Sequence, residues 1–170
     1  RHVGQLPDEQ TEDGGAQHFA ETIEAIRAMD PKIIIEVLTP DFNGKERALR
    51  LVLESRPHIF NHNLETVERL TPFVRSRAKY RLSLEVLRMA KHMAPDIVTK
   101  SGIMLGLGEM ENELFEALDD LRSANVQVLT MGQYLRPTPQ HLPVVEYINP
   151  ETFTLYGEIA RRKGCKPSIL

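Results

Sequence analysis

The strongest constraint on the fold is one segment in which an apolar run leads into a glycine-rich loop and then into a helical pattern. The run at 96–98 is β-like, the loop at 99–109 holds three glycines and Glu109, and the helical pattern covers 112–123. In α/β proteins ligands bind where a strand gives way to a helix, because backbone N–H groups and strand-end side chains point into open space there. Glycine also lets the backbone approach a ligand without an intervening Cβ. The segment predicts a ligand site or a tight turn, and alone it favours neither.

The rest of the chain repeats this alternation of helical and β-like patterns. Helices are predicted where apolar residues recur three and four positions apart, over 15–29, 45–55, 78–93, 112–123 and 150–163. Strands are predicted at the short apolar runs 32–38, 58–61, 96–98 and 126–131. The run at 32–38 is almost continuously apolar, so we expect both of its faces to be buried. This order predicts an α/β fold of about four parallel strands and five helices.

Capping residues mark both ends of the predicted helical series. Asp13 is the expected N-cap of the first helix, and Pro31 is expected to stop that helix. Asn149 is the expected N-cap of the last helix, with Pro150 at its first helical position and Gly164 at its stop.

Length and composition narrow the class of protein. A complete eight-unit barrel needs about 250 residues, whereas this chain has 170, which predicts a barrel segment. Its open sheet would expose two edge strands, so we expect a partner that covers them. The net charge of −3 with mixed signs predicts no nucleic-acid partner, and the absence of a long apolar run or signal peptide predicts no membrane association. One cysteine, Cys165, excludes an internal disulfide and any cysteine-clustered metal site made by these residues alone.

Polar side chains follow every predicted strand. The sets are Asp41, then 61–66, then Lys100 with Glu109, and then Gln133, Tyr134 and Arg136. Because the carboxyl ends of parallel strands share one edge of a sheet, the four sets predict a polar pocket there.

Individual residues in these sets have plainer interpretations that stay open. Asn63 and Glu65 would serve equally well as caps of a following helix. His62 is better explained as a hydrogen-bonded structural histidine than as a metal ligand, since no second ligand lies at metal spacing. Lys100 fits a Schiff-base lysine, a partner for a ligand carboxylate, or an ion pair with Glu109.

Five segments of the sequence resemble the lipoyl synthase family of radical S-adenosylmethionine enzymes. They are Asp13-Gly14-Gly15-Ala16, Leu38-Thr39-Pro40-Asp41-Phe42, Asn61-His62-Asn63-Leu64-Glu65-Thr66, Lys100-Ser101-Gly102-Ile103-Met104-Leu105-Gly106-Leu107-Gly108-Glu109 and Gly132-Gln133-Tyr134-Leu135-Arg136-Pro137-Thr138. The resemblance implies a partial (β/α)6 barrel over 13–164, with unmatched tails at 1–12 and 165–170. It also implies insertion of two sulfurs into an octanoyl chain carried by a lipoyl-carrier protein domain.

The resemblance implies a division of labour between S-adenosylmethionine and two 4Fe-4S clusters. One cluster, on a Cys-x3-Cys-x2-Cys loop, cleaves S-adenosylmethionine to a radical that removes hydrogen from the octanoyl chain, and the other cluster supplies sulfur. Neither cysteine set is present among these 170 residues, nor is the family's Arg-Ser-Ser-Tyr motif. We therefore expect this polypeptide to be inactive alone while retaining the half that embraces S-adenosylmethionine.

The resemblance also assigns cofactor-binding candidates, which are Asn63, Glu65, Lys100, Met104, Leu105, Gly106, Glu109, Gln133, Tyr134 and Arg136. Asn63 and Glu65 would contact the ribose and the amino-acid part of S-adenosylmethionine, because a carboxylate accepts charge-assisted hydrogen bonds from hydroxyls or an ammonium. Lys100 would face a carboxylate. The stretch 104–106 would offer backbone and apolar surface to adenine, although Met104 and Leu105 fit plain core equally well.

Two other functional classes remain open from the sequence. The chain fits a non-catalytic module that binds S-adenosylmethionine or a lipoyl-carrier domain, and, less well, a barrel lyase with Lys100 as a Schiff base. We expect a cytoplasmic location, or a mitochondrion or plastid in a eukaryote.

Overall fold

The computed structural model describes residues 12–75 and 79–169, so the tail predicted at 1–12 lies almost wholly outside the described residues. Its helices are α1 (Ala16–Met29), α2 (Glu46–Glu54), α3 (Thr71–Val74), α4 (Tyr80–Met93), α5 (Glu111–Ser123) and α6 (Pro150–Arg162). Its strands are β1 (Glu36–Leu38), β2 (Ile59–Asn61), β3 (Val98–Leu105), β4 (Val128–Gln133) and β5 (Lys166–Ile169). The strands form one parallel sheet in the order β1-β2-β3-β4-β5. The predicted α/β barrel segment is confirmed.

The two faces of this sheet differ in what covers them. Alternate strand residues, such as Val37, Phe60, Ile103 and Met131, are buried in one core together with the apolar faces of the helices. The intervening residues point to the opposite face. We call that face the open face and define it by Glu36, Leu38, Ile59, Asn61, Val98, Lys100, Gly102, Met104, Val128, Thr130 and Gly132. Except for Asn61, all of these side-chain positions are half-buried or exposed.

The prediction of a strand buried on both faces at 32–38 is wrong. Only Glu36–Leu38 forms strand, and Ile34 and Leu38 are 67% and 56% exposed. In the described residues β1 pairs only with β2, and helices cover only the Val37 side. One-sided coverage therefore leaves apolar side chains on the open face.

The predicted third strand, 96–98, is too short. The strand runs to Leu105 in a strict alternation of buried and half-buried residues, so Lys100 and Gly102 lie within a strand and not in a loop. Its length follows from the buried set Thr99, Ser101, Ile103 and Leu105, which the period of two places on the core side.

One α-helix and one strand were not predicted. The short helix α3 follows a single 3-10 turn at Glu68–Leu70, and four residues are too few for a helical period to register. Strand β5 lies in the predicted tail 165–170 and pairs in parallel with β4. Its main-chain hydrogen bonds to the sheet begin at Lys166, whose N–H donates to the Gln127 carbonyl at 2.8 Å.

The helix ends largely follow the predicted caps. Asn149 Oδ1 accepts from Thr152 N at 2.8 Å, with Pro150 in the first turn, and Gly164 has a φ of 93° just past α6. Asp13 is not the N-cap itself, since Gly15 occupies that position with a φ of 84°. The Asp13 carboxylate nevertheless accepts from Gln17 N at 2.8 Å, so it satisfies a first-turn donor from two residues upstream of the cap. No helix in the described ranges has the length and apolar character needed to span a membrane.

His62 ties three elements together beneath the carboxyl end of the sheet. Its ring is 1% exposed, with Nδ1 at 2.9 Å from the Thr39 carbonyl and Nε2 at 2.9 Å from Ser83 Oγ of α4. A carbonyl only accepts, so Nδ1 donates and Nε2 accepts from the Ser83 hydroxyl. Burial lowers the pKa of His62 below its ordinary 6.5. The expectation of a hydrogen-bonded structural histidine is confirmed.

We predict that His62 makes stability depend on pH in the acidic range. Because its pKa is lower in the folded chain than in the unfolded one, its contribution is intact above pH 6.5 and declines as the pH falls below 6.5. His62→Gln should lower the free energy of unfolding by about 1–3 kcal/mol at pH 8, since it leaves buried partners unsatisfied. It should also flatten the loss of stability between pH 7 and pH 5 in urea titrations.

The matched control is His92→Gln on the exposed side of α4. This variant should keep both the wild-type stability and the wild-type pH slope. An unchanged slope in His62→Gln would contradict the assignment.

Candidate functional site

The carboxyl end of β2 delivers an amide side chain onto the open face. Asn63 follows the strand, and its side chain lies against the backbone of Gly102 in β3, where a Cβ would stand 2.8 Å from Asn63 Oδ1. The Asn63 carbonyl also accepts from Arg75 Nη1 at 2.9 Å. Glycine at position 102 therefore makes the room in which the Asn63 amide sits.

Glu65 is held in a strained backbone conformation beside the same strand. Its N–H donates to the Gly102 carbonyl at 2.9 Å, and its carbonyl accepts from Met104 N at 2.9 Å. Its φ of 70° is in the left-handed region, which costs a non-glycine residue on the order of 1–3 kcal/mol. The half-buried Glu65 carboxylate has no hydrogen bond or ion pair with any described residue. The surrounding ladder thus fixes a strained residue whose charged group is unused within the described chain.

Lys100 pairs with Glu36 and not with Glu109. Lys100 Nζ lies 2.9 Å and 3.0 Å from the two Glu36 carboxylate oxygens, an ion pair that crosses β2 on the open face. Asn61 Nδ2 donates to Glu36 Oε1 at 2.8 Å, which joins all three side chains. Sequence reasoning had not selected Glu36. The signal that could have found it is its position two residues before Leu38, on the side of β1 that carries no buried core residue.

Glu109 closes the glycine loop onto itself. Its carboxylate accepts from Gly106 N at 2.6 Å and from Leu107 N at 2.9 Å. Arg69 Nη2 donates to the Gly108 carbonyl at 2.8 Å and binds Glu113 of α5. The Arg69 hydrogen bond lowers the pKa of Glu113 to about 2. The loop is therefore rigid before any ligand arrives.

Gln133 and Tyr134 fasten the segment 142–148 to the end of β4. Gln133 Nε2 donates to the Glu146 carbonyl at 3.0 Å, and Gln133 Oε1 accepts from Ile148 N at 2.9 Å. Tyr134 is 6% exposed, and its hydroxyl donates to the Leu142 carbonyl at 2.9 Å. These polar groups are used to fold the segment.

Arg136 has a similar structural role in the loop that follows. Its Nε donates to the His141 carbonyl at 2.8 Å, and its Nη2 donates to the Pro139 carbonyl. The guanidinium thereby organises the loop 136–141.

The residues at 104–106 divide between site and core. Met104 is half-buried on the open face, whereas the Leu105 side chain is fully buried in the core. Gly106 has a φ of 96°, and a Cβ there would lie 2.3 Å from the Glu146 carbonyl oxygen. Only glycine fits where the loop and segment 142–148 meet.

The structure therefore sorts nine of the ten candidates into two groups and places the tenth, Leu105, in the core. Asn63, Lys100 and Met104 share the open face, and the Glu65 backbone joins that group through β3. The others, apart from the core residue Leu105, hold the rim together: Gly106, Glu109, Gln133, Tyr134 and Arg136.

An iron–sulfur cluster does not fit the residues present. Cys165 is 2% exposed, its Sγ points to the Val126 carbonyl at 3.8 Å, and burial raises the pKa of its thiol. Within the described residues no group of three or more His, Cys, Asp or Glu could hold a metal ion. S-adenosylmethionine fits better, since the Asn63 amide beside Gly102 and the Glu65 carboxylate, which has no partner among the described residues, suit a polar, cationic ligand.

We predict that Glu109 controls the local stability of the glycine loop. Glu109→Ala removes the acceptor of two backbone N–H groups, so amide hydrogen exchange at Gly106 and Leu107 should accelerate by about tenfold or more. Exchange measured by mass spectrometry on a peptide covering 104–110 would show this.

Glu116→Ala on the exposed side of α5 is the control, and it should leave exchange in that peptide unchanged. Equal exchange in the Glu109 variant and the wild type would show that the carboxylate does not hold the loop.

Comparison with curated proteins identifies lipoyl synthases as relatives. The chain is 55% identical over 152 residues to the lipoyl synthases of Shouchella clausii, Bacillus cytotoxicus and Geobacillus kaustophilus. The match covers 89% of this chain, but 49% of the Shouchella protein and 51% of the other two. The chain thus spans about half the length of the curated relatives that it matches.

Solved structures with low sequence identity show the same fold. A domain of a pyruvate-formate lyase-activating enzyme from Bacteroides vulgatus superposes with a TM-score of 0.68 at 15% identity and covers 94% of each chain. Methylornithine synthase superposes with a TM-score of 0.66 at 11% identity, over 89% of this chain and 51% of that one.

The family model described as Radical SAM superfamily matches residues 11–121, and the chain therefore belongs to that superfamily.

Proposed function

We propose that this chain binds S-adenosylmethionine at the carboxyl end of its sheet, in a lipoyl synthase-type reaction. In that reaction two sulfurs enter an octanoyl group attached to a lipoyl-carrier protein domain. The proposal is supported by 55% identity to lipoyl synthases over 89% of the chain. It is also supported by a polar site on the face of the sheet that the described helices leave open.

The observation that carries the proposal is the pairing of Asn63 and Glu65 around Gly102. The Glu65 carboxylate is half-buried with no partner in the described chain, and the Asn63 amide sits in the space above a glycine. A carboxylate in this setting accepts hydrogen bonds from two ribose hydroxyls or from an ammonium, and S-adenosylmethionine offers both. A strained residue held by a rigid ladder is typical of a binding site that is formed in advance.

The remaining candidates have supporting roles in the proposal. Met104 offers adenine an apolar contact at the top of β3, while the N–H and carbonyl of Gly106 are engaged by Glu109 and Val145 and serve to hold the loop. Residues 133–136 shape the rim by fixing segment 142–148. S-adenosylmethionine supplies, when cleaved reductively, the radical that removes hydrogen from the octanoyl chain. The electron for that cleavage has no source among these residues.

The geometry of Lys100 bears on one of the two alternative functions, the Schiff-base lyase. Lys100 Nζ is held at 2.9 Å and 3.0 Å from the two Glu36 oxygens, so it is engaged in an ion pair and not placed to attack a carbonyl carbon, which disfavours a Schiff-base lyase. A binding module without catalysis remains consistent with the same site. The octanoylated carrier domain as partner and a cytoplasmic or organellar location belong to the proposal.

We predict that the 170-residue chain binds S-adenosylmethionine with a Kd below about 1 mM in calorimetry. Glu65→Gln should weaken binding by about tenfold to a hundredfold, because it removes a charge-assisted acceptor worth roughly 1.5–3 kcal/mol. Glu54→Gln, at the exposed end of α2, is the control and should leave the Kd unchanged. Millimolar or weaker binding by the wild type would refute the proposed site.

A second prediction concerns catalysis by the isolated chain. Reconstitution with iron, sulfide, reductant and S-adenosylmethionine should release no 5′-deoxyadenosine, because one buried thiol does not replace three cluster thiolates. Chromatography of the quenched mixture measures the product. Release above a protein-free control would mean that the chain finds another way to hold a cluster.

A further inference from the structure

One peptide group, the unit that joins Asn63 to Leu64, is held from both sides by side chains. Its carbonyl oxygen, that of Asn63, accepts a hydrogen bond from Arg75 Nη1 at 2.9 Å. Its N–H, that of Leu64, donates to Ser101 Oγ at 3.1 Å. Because a peptide unit is planar, these two bonds together fix the rotation of the whole unit. We call Arg75 and Ser101 the peptide clamp.

The peptide clamp acts between the two proposed contacts of S-adenosylmethionine. Asn63 lies directly before the held unit, and Glu65 follows one residue after it. Rotation of the unit changes ψ of Asn63 and φ of Leu64. It would therefore change the distance and the angle between the Asn63 amide and the Glu65 carboxylate.

Main-chain hydrogen bonds to β3 hold the residues on either side of this unit. His62 N donates to the Lys100 carbonyl at 3.1 Å, and Glu65 N donates to the Gly102 carbonyl at 2.9 Å. Among the described residues, the Leu64 N–H has no main-chain acceptor, and the bonds to the unit come from the two clamp side chains. Without the clamp, the unit would be a free pivot between two fixed points.

The hydroxyl at position 101 has a role that packing alone does not explain. Ser101 is 0% exposed on the core side of β3, where Ile103 and Leu105 follow it. A buried hydroxyl without a partner is costly, and the Leu64 N–H supplies that partner. An apolar side chain at this position would leave the buried Leu64 N–H unsatisfied.

Arg75 reaches the same unit because the chain turns back through α3. The helix ends at Arg75, whose backbone N–H donates to the Thr71 carbonyl at 2.8 Å. Its half-buried side chain has no ion pair with any described residue, and its hydrogen bond there is the one to Asn63. A charged donor makes that bond stronger than a neutral one. The short helix that sequence reasoning missed thus positions one half of the clamp.

We propose that Arg75 and Ser101 are positioning residues for S-adenosylmethionine. Both act through the unit between Asn63 and Leu64, which they hold in the rotation that presents the Asn63 amide and the Glu65 carboxylate to one ligand. This inference rests on the proposed function and deepens it, because it assigns the preorganisation of that site to two side chains outside the candidate set. A site formed in advance loses less entropy on binding, so removal of either clamp residue weakens affinity.

Calorimetry with S-adenosylmethionine on the whole 170-residue chain tests the clamp. Ser101→Ala and Arg75→Met should each raise the Kd about three- to tenfold, as expected for the loss of one hydrogen bond. Arg75→Lys keeps a charged donor and should recover most of the affinity. The double variant should bind no more than about twofold worse than the weaker single variant, because both residues hold the same unit.

Matched controls lie on exposed helix surfaces. Ser123→Ala at the end of α5 and Arg47→Met on α2 should keep the wild-type Kd. Circular dichroism would show that each variant is folded, and the half-buried Arg75 still tests the clamp if Ser101→Ala does not fold. Wild-type affinity in the folded clamp variants would overturn the inference, as would losses that multiply in the double variant.

Decarboxylated S-adenosylmethionine separates positioning from direct contact. This ligand lacks the carboxylate that a guanidinium would bind directly. If Arg75 acts through the peptide unit, Arg75→Met should weaken both ligands by the same factor. A loss confined to S-adenosylmethionine itself would show that Arg75 binds the ligand carboxylate, and this would overturn its positioning role.

The wild-type measurement distinguishes this inference from the proposed function. If the wild type binds S-adenosylmethionine and the clamp variants bind it equally well, only the inference fails. If the wild type does not bind it, the proposed function fails, and the positioning role fails with it.

Discussion

The arrangement of this molecule depends on helices covering one face of a parallel sheet. Strand side chains alternate between the two faces, so the covered face buries Val37, Phe60, Ile103 and Met131 in the core. The intervening residues lie on the open face. Polar groups on a central strand would be costly in a sheet covered on both sides. Here Lys100 in β3 is 23% exposed on the open face and has an ion partner in Glu36.

The rim of the site is stabilised by side chains that satisfy backbone groups. Glu109 accepts from two loop amides, while Gln133 and Tyr134 hold the main chain of segment 142–148. Such contacts use up the polar atoms that a sequence-based interpretation would assign to a ligand. They also mean that the loop conformation is set before binding, which lowers the entropy lost when a ligand is held.

The sequence predicted the parallel α/β order and the Asn149 cap, because these follow from local periodicity and capping chemistry. It mistook the run at 32–38 for a doubly buried strand, since an apolar run does not reveal how many of its faces are covered. It overlooked Glu36, because an ion pair across β2 depends on three strands in register and on no local pattern. The sequence also did not show that Leu105 lies in the core while Gly106 lies against segment 142–148, because both placements depend on three-dimensional contacts.

The close approach at Gly106 has a consequence for motion. A Cβ at position 106 would lie only 2.3 Å from the Glu146 carbonyl oxygen, and Val145 N donates to the Gly106 carbonyl at 2.9 Å. The glycine loop and segment 142–148 therefore share one backbone junction. Neither can shift without carrying the other along. Because Val145 and Tyr147 are exposed on that segment, a displacement imposed there would be transmitted to the loop backbone at Gly106.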